Sequence, residues 1–367
     1  MINLVIETQF YARVKSFVNR NERKLFIFAL VCGLLFDSLT LRRIDALFDN
    51  LIFAGHLSLL TISFLVLYAY EANRLKGRFF EFLFPWIPFI LQFSFGALFS
   101  GFIVFYTRSA SLYTSWPFIL GLAGLLIGNE FFRSKYAILS FRISIYFVVL
   151  LSFFAFLVPV LLRSIGVVPF VLSGGLSLFV VAILIASLYK IAPGKLWHER
   201  KHLLVSLLSI YILFNVFYFA NVIPPIPLAL RDSGIFHMVE RTSTQYFGTY
   251  EKSPWYMPFR RESKVFHRYE SSPVYAYSAI YAPTRIGTTV EHRWYTKSED
   301  NWKLVSSIPI VIHGGRDGGY RGYSFKSNIT DGKWRVDVVT ARGQLLGRIV
   351  FTIQKTDTQP DLQKISL

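Results

Sequence analysis

Residues 221–237 read NVIPPIPLALRDSGIFH, and the chain changes character across them. Pro224, Pro225 and Pro227 cannot continue a helix and favour a stiff, extended path. A helical run that reaches Asn221 must end here, and whatever follows is held close to that end. The stretch therefore reads as a rigid connector between two unlike halves.

Upstream the chain is apolar. Over the whole 367 residues, 53% are hydrophobic, 37 are Phe, and the mean hydropathy is +0.43, which suits several membrane spans better than one soluble domain. A helix needs about 20 apolar residues to cross a hydrocarbon layer of about 30 Å. Runs of that kind lie near 25–41, 51–70, 82–106, 112–129, 142–162, 170–189 and 203–221, so seven spans are expected. Lys and Arg set the direction. With a cytoplasmic N-terminus, the inside segments hold 15 of them and the outside loops only Arg42, Arg43, Arg108 and Arg163. An odd number of spans then puts everything beyond residue 221 outside. Ile2, Val5, Ile6, Phe10, Val14 and Phe17 recur at helical spacing before the first span. Residues 1–24 are thus expected to be an amphipathic cytoplasmic segment, either in the headgroup layer or leading into span one.

The net charge of +17 forms no basic stripe and follows the topology, so no nucleic-acid partner is expected. The one cysteine, Cys32, lies in an apolar run and offers neither a disulfide nor a thiolate metal site. No signal peptide with a small-residue cleavage site opens the sequence.

Downstream, after a Pro-rich connector and adaptor over 222–271, the period becomes two. Tyr275, Tyr277 and Tyr281 fall on one face; His292 and Trp294 share a face opposite Arg293; Trp334, Val336 and Val338 alternate with Arg335 and Asp337. Asp331-Gly332 has the composition of a hairpin turn between YSFKSNIT and KWRVDVVT. Six strands, with a seventh upstream, predict an antiparallel Ig-like β-sandwich over 272–355, followed by a polar tail over 356–367.

Several motifs here resemble a known family. They are His292-x-Trp294, the loop GGRDGGYRGY at 314–323, GKWRVDV at 332–338, and the closing GRIVF at 347–351. The block is similar to the bacterial domain of unknown function 2914, found at the C-terminus of multi-span membrane proteins. The resemblance implies a bacterial inner-membrane protein with a periplasmic β-sandwich, and implies no activity.

Chemistry must then be sought residue by residue. His198, Glu199 and His202 fit H-E-x-x-H, which on a helix presents two imidazoles for zinc and a carboxylate base. Arg200 and Lys201 beside it oppose a cation, so a positive-inside anchor is the stronger reading and a metalloprotease the lesser. Asp37 and His56 are ionisable groups within spans one and two, where each needs a reason to persist. They make either a polar tie between helices or a site for an envelope lipid or small ligand. His237, His267, His292 and His313 show no spacing of a triad or metal cluster.

The loop GGRDGGYRGYS, 314–324, fits neither phosphate-cradling glycine pattern. Its glycines suit a tight turn, while Arg316 and Arg321 offer planar donors and Tyr320 and Tyr323 offer stacking rings, with His292 and Trp294 on a nearby strand. No cofactor is expected. The sequence favours a non-enzymatic membrane protein whose outer domain recognises an envelope protein, glycan or anionic lipid. A transporter or lipid-handling core is the alternative.

Overall fold

A computed structural model describes residues 31–41, 43–109, 111–131, 138–243, 245–251, 265–284, 286–315 and 318–367. The segment 1–24, the start of the first span, Arg42, Arg316 and Asp317 lie outside the described residues.

The N-terminal part is helical. Its helices are α1 (Val31–Thr40), α2 (Leu47–Glu71), α3 (Arg78–Leu83), α4 (Ile87–Ser109), α5 (Leu112–Phe131), α6 (Leu139–Leu162), α7 (Val167–Ile191) and α8 (Pro193–Phe219). A single 3₁₀ turn, Phe84–Trp86, joins α3 to α4 around Pro85. Five stretches are long and apolar enough to cross a membrane: α2, the run from α3 through α4, α6, α7, and Leu196–Phe219 of α8. The chain is thus built as a multi-pass membrane protein.

Why these helices pack is visible in α2. Phe53, Leu57, Leu60, Phe64 and Leu67 recur every three or four residues and are buried together. They meet a phenylalanine-rich interior in which Phe53 lies 5.6 Å from Phe102, 5.5 Å from Phe105 and 5.9 Å from Phe156, centroid to centroid. A Cβ on Gly101 would fall 2.4 Å from the Phe53 ring, so glycine there lets α2 and α4 close up. On the opposite faces Phe93, Leu120, Phe179, Leu204 and Leu208 stand exposed. A water-facing bundle does not carry such an apolar perimeter; a lipid-facing one does.

α8 starts ten residues before the apolar run at 203–221 that marked it in the sequence. Pro193 occupies its first turn, where a missing N–H costs nothing, and the Lys, Glu and Arg side chains that follow are good helix formers. The H-E-x-x-H stretch is therefore helical.

The C-terminal part is a β domain of mixed sheets. Its strands are β1 (Ala229–Phe236), β2 (Met238–Arg241), β3 (Tyr246–Glu251), β4 (Val265–Tyr269), β5 (Val274–Tyr281), β6 (Gly287–Ser298), β7 (Asn301–His313), β8 (Tyr320–Lys326), β9 (Gly332–Thr340), β10 (Leu345–Thr356) and β11 (Leu362–Ser366). They pair in the orders β1-β5-β8, β4-β10-β9-β6-β7 and β11-β3-β2, antiparallel except for β4 on β10. Strands thus begin at Ala229, inside the stretch read as a connector, and β11 lies in the stretch read as a tail. Asp331-Gly332 does not close a hairpin: β8 pairs with β5, whereas β9 pairs with β6 and β10, so this turn crosses between sheets. The core between the first two sheets holds Val274 and Ala276 of β5 against Trp294, Trp334, Val336, Ile349 and Phe351 of the larger sheet. The third sheet covers Phe236 and Tyr277 from the other side.

Helix ends sort onto two faces, and among the described residues the β domain meets one of them. Tyr281 meets Asp45 between α1 and α2, Arg348 lies over Tyr113 at the start of α5, Ile165 after α6 packs against Leu346, and Arg342 lies over Tyr218 near the end of α8.

Candidate functional site

β5 and β8 run side by side, and their alternation sends odd-numbered residues to the side away from the core. Tyr277 is registered with Tyr323, Tyr275 with Phe325, and Ala279 with Arg321. The rings form a row: Tyr275 lies 5.4 Å from Phe325 and 5.9 Å from Tyr323, and Tyr246 of β3 lies 6.4 Å from both Tyr277 and Tyr323. The third sheet buries Tyr277, and burial pushes its phenol up to about 12. Cover ends beyond it, leaving Tyr323 36% and Phe325 54% exposed. Arg321 is close enough to Tyr277 to interact with it electrostatically. Of the residues marked out in the sequence, the structure therefore brings Arg321 and Tyr323 to one face. Tyr320 projects to the other side and packs with Ile280 and Ile312.

His292 and Trp294 do not join this surface. Both are fully buried between the sheets. The His292 ring contacts Ser278 Oγ through Nε2 at 2.8 Å and Ser324 Oγ through Nδ1 at 2.9 Å. Trp294 Nε1–H donates to the same Ser324 oxygen at 3.0 Å. Removal from water disfavours the charged ring and lowers its pKa to about 4. Even-numbered positions of β6 face the core, so both residues serve as interior polar links between sheets.

The glycine loop is shaped by close approach. A Cβ on Gly314 would fall 1.8 Å from the Pro283 carbonyl oxygen, and Gly315 and Gly319 have φ of +106° and +83°. Gly314 N–H donates to Ile286 O and Gly315 N–H to Ala282 O, so the loop backs onto the turn after β5. That turn is fastened to the bundle. Asp45 accepts from Tyr281 Oη at 2.5 Å, from Thr284 N–H at 3.2 Å, and from Arg43 in a two-pronged pair at 2.8 and 2.9 Å. Burial alone would raise the Asp45 carboxyl, but bonds from Arg43, Tyr281 and Thr284 hold it at about 2. Arg231 lies over the Tyr281 ring from the β1 side, 5.2 Å from its centroid.

A second polar group was hidden in the sequence. Glu251 at the end of β3 accepts from His237 Nε2 at 2.9 Å, and from His267 through Nδ1 and its backbone N–H, each at 2.6 Å. Burial opposes the charge of Glu251, yet these bonds keep its carboxyl below the usual range.

Within the bundle, Asp37 and His56 each find a serine on α4: Ser100 Oγ donates to Asp37, and His56 Nδ1 lies 3.4 Å from Ser94 Oγ. Arg108 donates to the carbonyls of Ser38 and Leu41, satisfying the end of α1. At the other face, Glu199 accepts from the backbone N–H of Ser140 at 2.7 Å, in the first turn of α6. His198 Nδ1 lies 2.9 Å from Gly194 O. A carbonyl can only accept, so the proton is on Nδ1. Among the described residues no group of three His, Cys, Asp or Glu side chains could hold a metal ion.

No curated protein matches the chain. Solved structures align only weakly. A β-glucosidase from Listeria innocua in complex with gluconolactone aligns at 10% identity and a TM-score of 0.18, over 32% of this chain and 17% of that one. The Pseudomonas fluorescens alkylpurine DNA glycosylase AlkC, bound to DNA containing an abasic site analog, aligns at 9% identity and 0.22, over 85% and 99%. Neither score shows a shared fold. A family model matches within the β domain: residues 287–353, from β6 into β10, form a domain of the family described as "Protein of unknown function (DUF2914)".

Proposed function

We propose that this chain is a seven-span protein of a bacterial inner membrane whose β domain, an Ig-like sandwich on the periplasmic side, recognises an envelope glycan without enzymatic activity of its own. α1 and α5 complete the seven with the five long apolar helices, and the 15-to-four distribution of Lys and Arg supports a cytoplasmic N-terminus. The observation that carries the reading is the row of rings on β5 and β8, which emerges from under the third sheet at Tyr323 and Phe325 with Arg321 on the same face. Flat rings suit the apolar face of a sugar, and a guanidinium beside them suits its carboxylates.

The test uses the full-length protein in lipid nanodiscs, with soluble acidic cell-wall oligosaccharides as probes and saturation-transfer NMR as readout. Binding is expected in the wild type and a loss of about tenfold, near 1.4 kcal/mol, in Tyr323→Ala/Phe325→Ala. No binding, or equal binding by the variant, refutes the reading. A lipid-handling or transporting core remains the second reading, favoured by a cavity at the far end of the bundle that Glu71, Arg142 and Glu199 help to line.

A further inference from the structure

At the face of the bundle away from the β domain, the end of α2 and the first turns of α6 and α8 leave a cavity of about 410 Å³. That volume is in the range of small-ligand sites. Its lining is graded by depth. Tyr68 and Arg142 are buried, the Arg142 side chain only 6% exposed. Glu71 and Glu199 are partly exposed, with a Glu71 oxygen 3.9 Å from Arg142. His198 stands at the exposed rim, and because Nδ1 carries the proton, Nε2 is its acceptor.

We infer that this cavity binds a phosphate–ethanolammonium zwitterion, with the phosphate inward on Arg142 and Tyr68 and the ammonium outward between Glu71 and Glu199. A planar guanidinium matches a phosphate through paired N–H donors. Two carboxylates and an imidazole acceptor match an ammonium that has N–H groups to give. A choline headgroup has none and is better held by aromatic cages, and a purely anionic headgroup meets two carboxylates. The cavity sits at the end of membrane-crossing helices, where headgroups lie, so this zwitterion can come from an ethanolamine phospholipid or from the free headgroup. The inference is independent of the glycan reading of the β domain.

The experiment takes delipidated full-length protein in detergent and titrates ethanolamine, choline and glycerol phospholipids with identical acyl chains, counting bound lipid by native mass spectrometry. Free phosphoethanolamine is a further arm, read by thermal shift. Ethanolamine lipid is expected to bind about tenfold more tightly than either other lipid. The isosteric pair Glu71→Gln/Glu199→Gln should abolish that preference. Arg142→Lys keeps the charge but loses the fork, and should weaken the ethanolamine lipid while helical content stays unchanged. A response to the free compound as well assigns a soluble source, and a response to lipid alone assigns the leaflet. The inference is overturned by equal retention of the three lipids without response to free phosphoethanolamine, by a preference that survives the double substitution, or by unchanged affinity in a folded Arg142→Lys protein. Glu71, Arg142 and Glu199 would then be only an ionic tie between three helices.

Discussion

Acidification should loosen the β domain through one buried ring. His292 has no exposed surface, and its pKa is lowered to about 4 from an ordinary 6.5 by loss of water. The unfolded chain therefore binds a proton between those values and the folded chain does not. Stability is complete above about pH 6.5, is lost as the pH falls toward 4, and levels off below. At pH 5 the unfolded ring is about 97% charged and the folded ring about 9%, which gives a loss of about 2 kcal/mol, or a factor of about thirty. Hydrogen–deuterium exchange of the full-length protein at pH 7.5 and 5, corrected for intrinsic rates, would read it as an equivalent fall in protection of β5, β6 and β8. His292→Gln keeps a donor and an acceptor between Ser278 and Ser324 without a titrating ring. Other groups act in both proteins, so the difference between them isolates His292. Equal loss of protection in wild type and His292→Gln would sink the argument.

Three further outcomes are expected. Asp45→Ala strips the carboxylate that Arg43, Tyr281 and Thr284 share; it should cost about 1–3 kcal/mol and raise exchange over 282–286, whereas in the His292→Gln background, which lacks the titrating ring, lowering the pH to 4 should not, since Asp45 stays ionised until about pH 2. Gly314→Ala sets a methyl against the Pro283 carbonyl oxygen, and the loop cannot yield without breaking its bonds to Ala282 and Ile286; limited proteolysis should find the β domain opened, while Gly287→Ala, with open space around it, should resist as wild type does. Glu251→Gln removes the charge facing His237 and His267; hydrogen–deuterium exchange of β3 and β4 should rise, and unchanged exchange would show that the carboxylate contributes nothing there.

Much of the β domain was legible because its alternation is strict. Tyr275, Tyr277 and Tyr281 do share a face, and Trp334, Val336 and Val338 do point into the core, since period two leaves no other choice on a two-sided strand. The apolar runs likewise marked the long helices. Illegible were pairings made by distant chain. Nothing near Asp45 points to Tyr281, which it meets only where the β domain rests on the bundle, and the spacings of His237, Glu251 and His267 carry no motif; that trio forms only when β3 and β4, from different sheets, meet. Upstream of residue 272 the reading expected one strand where four lie: β2 and β4 are four and five residues long, too short for alternation to stand out, and β1 follows directly on the proline run. The Asp331-Gly332 turn misled because composition reports the bend and not the sheet to which the next strand is added.

The pairing of β11 with β3 bears on the order of assembly. Leu362 is registered with Glu251 and Ser366 with Phe247, so one edge of β3 waits for a strand made long after β2 has covered the other. During synthesis that edge stays open, with Tyr246 and Tyr250 beside it, and such an edge can accept a wrong partner. Aggregation of nascent chain should therefore concentrate in the interval before residues 362–366 emerge, and a chaperone that shields β3 would act in that interval.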